Sequence, residues 1–126
     1  MYGLFFSLFR VVESKKVIMS QLDTERLVKV ALPRPIAESL TYRMISSQLD
    51  RELVGQWVLA PLGRDQVMGC IMEVTVDESI QMSKIKTISA ALHWIPQLPP
   101  SLVSLIKYIA QYYHVPIGET LKLVMP

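Results

Sequence analysis

Residues 111–119, QYYHVPIGE, place two tyrosines, a histidine and a carboxylate close together. Side chains of these types can stack on nucleic-acid bases, transfer protons or bind a metal ion. The remaining histidine and the cysteine, His93 and Cys70, are isolated, and the chain has no C-x-x-C or H-x-x-x-H pair. The spacing therefore favours capping or packing of a helix by His114 over catalysis or metal binding.

The sequence motifs of common enzymes are missing from the chain. It has no G-x-x-x-x-G-K-[ST] phosphate loop, no G-x-G-x-x-G and no G-x-S-x-G. Asp77 and Glu78 are interpreted as a solvated turn rather than a general acid/base pair. We therefore predict that this chain has no catalytic residue, no metal site and no cofactor of its own.

The composition is typical of a globular domain, with 51% hydrophobic and 19% charged residues. A length of 126 residues suits one domain. The single cysteine rules out an internal disulfide, which fits a cytoplasmic protein. The apolar run at residues 2–9 is shorter than the about 20 residues of a membrane helix, so no membrane partner is expected.

Seven cations lie in or beside the predicted strands and turns: Arg26, Lys29, Arg34, Arg43, Arg64, Lys84 and Lys86. Because the net charge is only +2, a nucleic-acid partner needs a local basic surface rather than a bulk field. If the sheet curls, several of these cations can meet at one rim and contact phosphate. The alternative is that they are ordinary solvated charges.

Alternating apolar and polar residues predict five strands, at residues 26–32, 39–44, 55–62, 67–76 and 84–92. Tyr42 shares a strand face with Leu40 and Met44, so packing in the core is expected for it. The fold is predicted to be α+β: a small β-barrel or strongly curved sheet of about five strands, closed by a C-terminal amphipathic helix.

The helix is predicted from apolar residues at helical spacing, namely Leu102, Leu105, Ile106, Ile109 and Tyr113. Pro116 should end it at or before Val115. We expect residues 1–26 to form a leader or flexible N-terminal segment and residues 27–126 to form the domain.

Four segments occur in an informative order: VALPRPIAESLTY (30–42), GQWVLAPLGRDQVMGCIMEV (55–74), IKTISAAL (85–92) and IAQYYHVPIGETLKLVMP (109–126). Together they resemble the N-terminal 3′-DNA-binding domain of the PriA (primosomal protein N′) family of bacterial replication-restart helicases. The resemblance implies sequence-independent capture of the 3′-hydroxyl end of the nascent leading strand at a stalled fork. The implied ligands are DNA with a free 3′ end and branched fork DNA.

In that family the full-length protein is an ATP-dependent 3′-to-5′ DNA helicase with winged-helix and zinc-binding regions. The resemblance does not extend to those regions, so ATP and zinc are not implied for this chain. Primosome proteins and single-strand binding protein are implied as partners only through the full-length protein.

The resemblance carries the family's 3′-terminus pocket over to four positions, Leu40, Thr41, Gly63 and Lys86. Leu40 and Thr41 replace an aromatic–acidic pair. A carboxylate accepts a hydrogen bond more strongly than a hydroxyl group does, so the resemblance implies weaker or less selective capture of the 3′ end. The neighbouring cations are predicted to contact phosphate: Arg43, Arg64 and Lys84.

Two other functions stay open on the sequence. The same domain can act as a protein-interaction module that has lost its DNA contacts together with the aromatic–acidic pair. The chain can also be an inactive fragment of a truncated helicase gene.

Overall fold

The computed structural model describes residues 24–36, 38–76 and 84–126. Its elements, in chain order, are β1 (Thr24–Ala31), β2 (Leu40–Ser46), α1 (Asp50–Leu53), β3 (Trp57–Leu62), β4 (Asp65–Thr75), β5 (Lys86–Thr87), β6 (Ala90–Ala91), α2 (Pro100–Tyr113) and α3 (Ile117–Leu121). The six strands form one sheet in the order β5-β2-β1-β4-β3-β6. The predicted α+β class is confirmed, with six strands where about five were expected. None of the helices in these ranges is long and apolar enough to span a membrane.

One segment, residues 86–91, forms both ends of this strand order. β5 pairs in parallel with β2, and β6 pairs antiparallel with β3. Between these two short strands, the N–H of Ile88 donates to the carbonyl of Arg43 at 2.8 Å and the N–H of Ser89 donates to that of Leu59 at 2.9 Å. The sheet therefore curls until its two edges meet on this segment. The single strand predicted at residues 84–92 is two short strands because the chain crosses there from one edge to the other.

The core has two parts because successive strand residues point to opposite faces of the sheet. One part lies inside the curled sheet and includes Val28, Tyr42 and Ile71. The other lies between the sheet and the helices and includes Trp57 and Val103. The interior position predicted for Tyr42 is confirmed, since its side chain is 3% exposed.

The face that helix α2 turns to the core matches the predicted one only in part. Val103 and Ile106 are buried, whereas Leu105 and Tyr113 are 48% and 64% exposed. The predicted stripe that contained Leu105 and Tyr113 is therefore wrong at these two residues. Apolar side chains occupy most of the circumference of this helix, so the sheet and α3 decide which of them are buried.

The junction between α2 and α3 is a left-handed helix cap. His114 has φ 55° and ψ 41°, and its N–H donates to the carbonyl of Ala110. The N–H of Val115 donates to the same carbonyl at 3.1 Å. This is an αL C-cap, so the predicted capping role of His114 is confirmed. Pro116 then serves as the N-cap of α3.

Gly118 allows α3 to pack directly against the chain that follows β1. A Cβ atom at this position would overlap the carbonyl oxygen of Leu32 and would lie 2.6 Å from that of Arg34. The contact joins the PIG segment near the C-terminus to the LPRP segment after β1. Because position 118 has no side chain, two distant parts of the chain pack directly against each other.

Two expectations fall wholly or partly outside the described residues. The turn at Asp77 and Glu78 is outside them, as is the leader up to residue 23. β1 begins at Thr24, so residues 24–26 lie in a strand. The domain boundary at residue 27 stays a prediction.

We expect Gly118→Ala to lower the free energy of unfolding by about 2–4 kcal/mol, because a methyl group must displace backbone atoms rather than a flexible side chain. Urea denaturation measures the loss. Gly63→Ala is the matched control, since a Cβ there would meet no described atom within 4 Å. That control should cost only about 1–2 kcal/mol, from its left-handed backbone. Equal losses in the two variants would contradict the packing role of Gly118.

We expect His114→Gly to raise the free energy of unfolding by about 0.5–1 kcal/mol, because glycine adopts a left-handed backbone without a Cβ penalty. His114→Ala removes the imidazole and keeps the penalty, so it should change stability by less than about 0.5 kcal/mol. Thermal unfolding of both variants measures the difference. Equal stabilisation by alanine and glycine would show that the backbone conformation is not the cause.

Candidate nucleic-acid interface

A cavity of about 230 Å³ opens at one end of the curled sheet, where β2 begins and β3 ends. Its lining consists of Leu40, Thr41, Tyr42, Pro61, Leu62, Gly63, Lys84 and Lys86. All four positions carried over from the family resemblance are in this lining, although they are far apart in the sequence. Cavities for drug-sized ligands measure about 300–1,000 Å³. This cavity is smaller, so it suits a small group such as the terminal unit of a bound polymer.

Strand pairing brings Lys86 to this cavity. In the parallel pair of β5 and β2, Lys86 lies opposite Tyr42 and Thr87 lies opposite Arg43. Lys84 lies two residues earlier in the chain, and both lysines are exposed. The cavity therefore has two ammonium groups on the side formed by residues 84–86.

Gly63 belongs to a second wall of the cavity, which is formed by the loop between β3 and β4. Leu62 and Asp65 pair with each other, which leaves Gly63 and Arg64 as a two-residue hairpin loop. Gly63 has φ 61°, and a positive φ at the first of two loop residues is the pattern of a type II′ turn. The space beside its backbone is open, because a Cβ atom there would meet no described atom within 4 Å. A bound group can thus approach the Gly63 backbone closely.

Tyr42 connects the two walls. Its hydroxyl group donates a hydrogen bond of 2.7 Å to the carbonyl of Pro61. Burial raises the pKa of Tyr42, so the hydroxyl group stays protonated at neutral pH and remains a donor. The pattern of the sequence placed Tyr42 in the core but contained no signal for this hydrogen bond, because the partner is a backbone atom of another strand.

The three cations predicted to contact phosphate have different surroundings. Lys84 lines the cavity. Arg64 is exposed in the hairpin loop next to Gly63. The Nε atom of Arg43 lies 2.7 Å from Oε2 of Glu25, and Arg43 is not part of the cavity lining. The structure thus brings Lys84 and Arg64 close to the four carried-over positions and does not bring Arg43 there. Phosphate contact by any of them stays a prediction.

Cys70 has the chemistry of a structural residue. It is buried, and burial raises the pKa of its thiol to about 12. The thiol is therefore protonated at neutral pH, which disfavours it as a nucleophile or metal ligand. No group of three histidine, cysteine or acidic side chains within the described ranges is arranged to hold a metal ion.

Helix α2 has an exposed aromatic cluster that the sequence pattern did not predict. Tyr108, Tyr112 and Tyr113 are 58%, 63% and 64% exposed. The rings of Tyr108 and Tyr112 stack with centroids 5.5 Å apart, and Tyr112 meets Tyr113 edge to face at 4.9 Å. The spacing of four residues between Tyr108 and Tyr112 was the available signal.

Comparison with known proteins identifies the domain. Residues 29–126 match the family model of the PriA 3′DNA-binding domain (3′BD). The replication restart protein PriA of Chlamydia muridarum (strain MoPn / Nigg) is 31% identical over 102 residues, which cover 78% of this chain and 14% of the relative. The PriA protein of Buchnera aphidicola subsp. Acyrthosiphon pisum (strain APS) is 25% identical over 100 residues, covering 79% of this chain and 14% of the relative.

The chain belongs to the PriA 3′DNA-binding domain family. The resemblance stated from the sequence is thereby confirmed. The chain spans about 14% of the length of the curated relatives it matches. These residues therefore correspond to one domain of a PriA protein.

We expect Tyr42→Phe to lower the free energy of unfolding by about 1–3 kcal/mol, because the Pro61 carbonyl loses its donor in a partly buried position. Chemical denaturation measures the change. Tyr113→Phe is the matched control, and its exposed position predicts a change of less than about 0.5 kcal/mol. If Tyr42→Phe left the free energy of unfolding unchanged, the hydrogen bond would not stabilise the contact between the two cavity walls.

Proposed function

We propose that this chain is a DNA-binding module that captures the 3′ end of a DNA strand during replication restart. Its physiological target is the 3′-hydroxyl end of the nascent leading strand at a stalled fork. Membership of the 3′DNA-binding domain family supports DNA as the ligand. The observation that carries the proposal is the cavity at which Leu40, Thr41, Gly63 and Lys86 meet.

Each lining residue has a distinct role in this proposal. The open backbone at Gly63 lets the terminal sugar approach the cavity wall. The ammonium group of Lys86 neutralises the last phosphodiester, and Lys84 extends that positive charge along the strand. Leu40 packs against the sugar or the edge of the base. The hydrogen bonds and charges act on sugar and phosphate, which carry no direct sequence information, and the apolar contact of Leu40 reads no donor or acceptor of a base, so binding is independent of sequence.

Thr41 sets how strongly the terminal hydroxyl group is held. Its side chain is partly exposed at the cavity, where it can accept or donate a hydrogen bond. A neutral hydrogen bond contributes only about 0.5–1.5 kcal/mol, and one to a charged group contributes about twice as much. Capture of the 3′ end is therefore weaker or less selective than with a carboxylate at this position.

The relatives, which are bacterial proteins named for replication restart, support the setting proposed for this function. We place the chain in the bacterial cytoplasm, on branched fork DNA, with no cofactor of its own. Contacts with primosome proteins and single-strand binding protein belong to the full-length protein.

A second candidate function is a protein-interaction module. The exposed cluster of Tyr108, Tyr112 and Tyr113 favours it, since contiguous exposed aromatic side chains mark interaction surfaces. This candidate replaces DNA-end capture if binding proves independent of a strand end.

A comparison of linear and circular single strands tests end capture. Both have the same length and sequence, and only the linear strand has a 3′ end. We expect the linear strand to bind about tenfold more tightly, a difference of about 1.4 kcal/mol. Titrations at several salt concentrations separate this difference from the general phosphate attraction, which weakens steeply with salt. Equal affinities at every salt concentration would contradict end capture and leave electrostatic binding alone.

We expect Lys86→Gln to weaken binding of the linear strand and to reduce its salt slope by about one unit, because one phosphate contact is lost. Lys122→Gln is the matched control. Lys122 is an exposed lysine outside the cavity lining, and its Nζ lies 3.1 Å from Oε2 of Glu119. Its loss should leave affinity and salt slope unchanged. Equal effects of the two substitutions would remove the special role of Lys86.

A further inference from the structure

We infer that this cavity accepts a DNA strand ending in a 3′-phosphate at least as tightly as one ending in a 3′-hydroxyl, because its described lining contains two lysines and no carboxylate. The inference rests on the proposed function and adds the chemical class of strand end that the site takes. A strand that ends in a 3′-phosphate differs from one that ends in a 3′-hydroxyl only in its terminal group. The residues nearest to that group therefore decide between the two strands.

The charges around the cavity support this inference. The titratable side chains of the described lining are Tyr42, Lys84 and Lys86. The hydroxyl group of Tyr42 donates a hydrogen bond to the Pro61 carbonyl, and this side chain is neutral. The lining thus has a net positive charge at neutral pH.

No acidic side chain of the described residues forms an ion pair with Lys84 or Lys86. The ion pairs of the described residues join Arg26 to Asp50, Arg43 to Glu25, Lys107 to Glu73 and Lys122 to Glu119. Neither Lys84 nor Lys86 takes part in any of them. Both ammonium groups are exposed and can turn toward a bound anion.

A terminal phosphate fits these groups better than a hydroxyl group does. Its second pKa is about 6, so it carries a charge of about −1.5 to −2 at neutral pH together with three acceptor oxygens. The lysines supply charged donors, and Thr41 can donate its hydroxyl hydrogen to a phosphate oxygen. The open space beside Gly63 leaves room for the additional atoms.

Position 41 determines which end is preferred. A carboxylate there accepts a hydrogen bond from a sugar hydroxyl group and repels a phosphate. Threonine has no charge, so it removes the repulsion and keeps a hydrogen bond to either end. Threonine at this position therefore lets both kinds of strand end bind.

The experiment uses the whole chain and 5′-labelled single strands of identical sequence that end in a 3′-hydroxyl or a 3′-phosphate. A circular strand of the same sequence measures binding without an end. We expect the 3′-phosphate strand to bind between equally and about tenfold more tightly at low salt. Any advantage should shrink as salt is raised, because it arises from exposed charges.

The variant Thr41→Asp sharpens the test. We expect it to weaken binding of the 3′-phosphate strand by about tenfold or more while binding of the 3′-hydroxyl strand is kept or strengthened. Ser101→Asp is the matched control, since it makes the same change in net charge at an exposed position of α2 outside the cavity lining. It should affect both strands equally. Thermal unfolding of both variants shows that the fold is retained.

The outcomes separate this inference from the proposed function. One outcome would overturn the inference and leave end capture intact. In that outcome both linear strands bind more tightly than the circle, and the 3′-hydroxyl strand binds at least about threefold more tightly than the 3′-phosphate strand. Equal affinities for the circular and linear strands would overturn both the inference and the proposed end capture. Lys84→Gln and Lys86→Gln should weaken binding of the 3′-phosphate strand more than binding of the 3′-hydroxyl strand, which supports the inference. If both variants weaken binding of the two strands equally, the inference is contradicted.

Discussion

The pairing of residues 86–91 with both edges of the sheet is the interaction on which the candidate site depends. It sets Lys86 opposite Tyr42 on one side and Ala91 opposite Val58 on the other. The side chain of Ser89 adds a hydrogen bond to that of Gln66 on β4. Each such bond contributes only about 0.5–1.5 kcal/mol net, but together they hold the sheet curled. Without this closure, the lysines would not face the loop that contains Gly63.

The helices stabilise this arrangement from outside the cavity. Gly118 lets α3 lie against the carbonyl of Leu32, directly after β1, and His114 caps α2 just before it. None of residues 111–119 lines the cavity. The histidine and tyrosines that first suggest chemistry are therefore structural or surface residues, and the residues of the candidate site come from the strands and their loops.

The site is built from backbone and cations rather than from acids and bases. The open backbone at Gly63, the Tyr42–Pro61 hydrogen bond and the two lysines form its walls. This composition suits recognition of the shape and charge of a strand end, which requires no catalytic group. In the proposed function, selectivity among strand ends falls to one neutral side chain, that of Thr41.

Local patterns in the sequence were sufficient for strands β1 to β4, the interior position of Tyr42 and the end of α2 before Pro116. The family resemblance supplied the four positions that line the cavity. These features depend on the alternation of side chains along a strand, on the missing N–H group of proline and on short motifs. The tertiary structure alone decided the ion pair of Arg43 with Glu25 and the exposed face of α2. It also decided the meeting of Lys86 with Tyr42. The physical reason is that these contacts join residues distant in the chain, and packing and hydrogen-bond geometry select them from several partners that the local sequence permits equally.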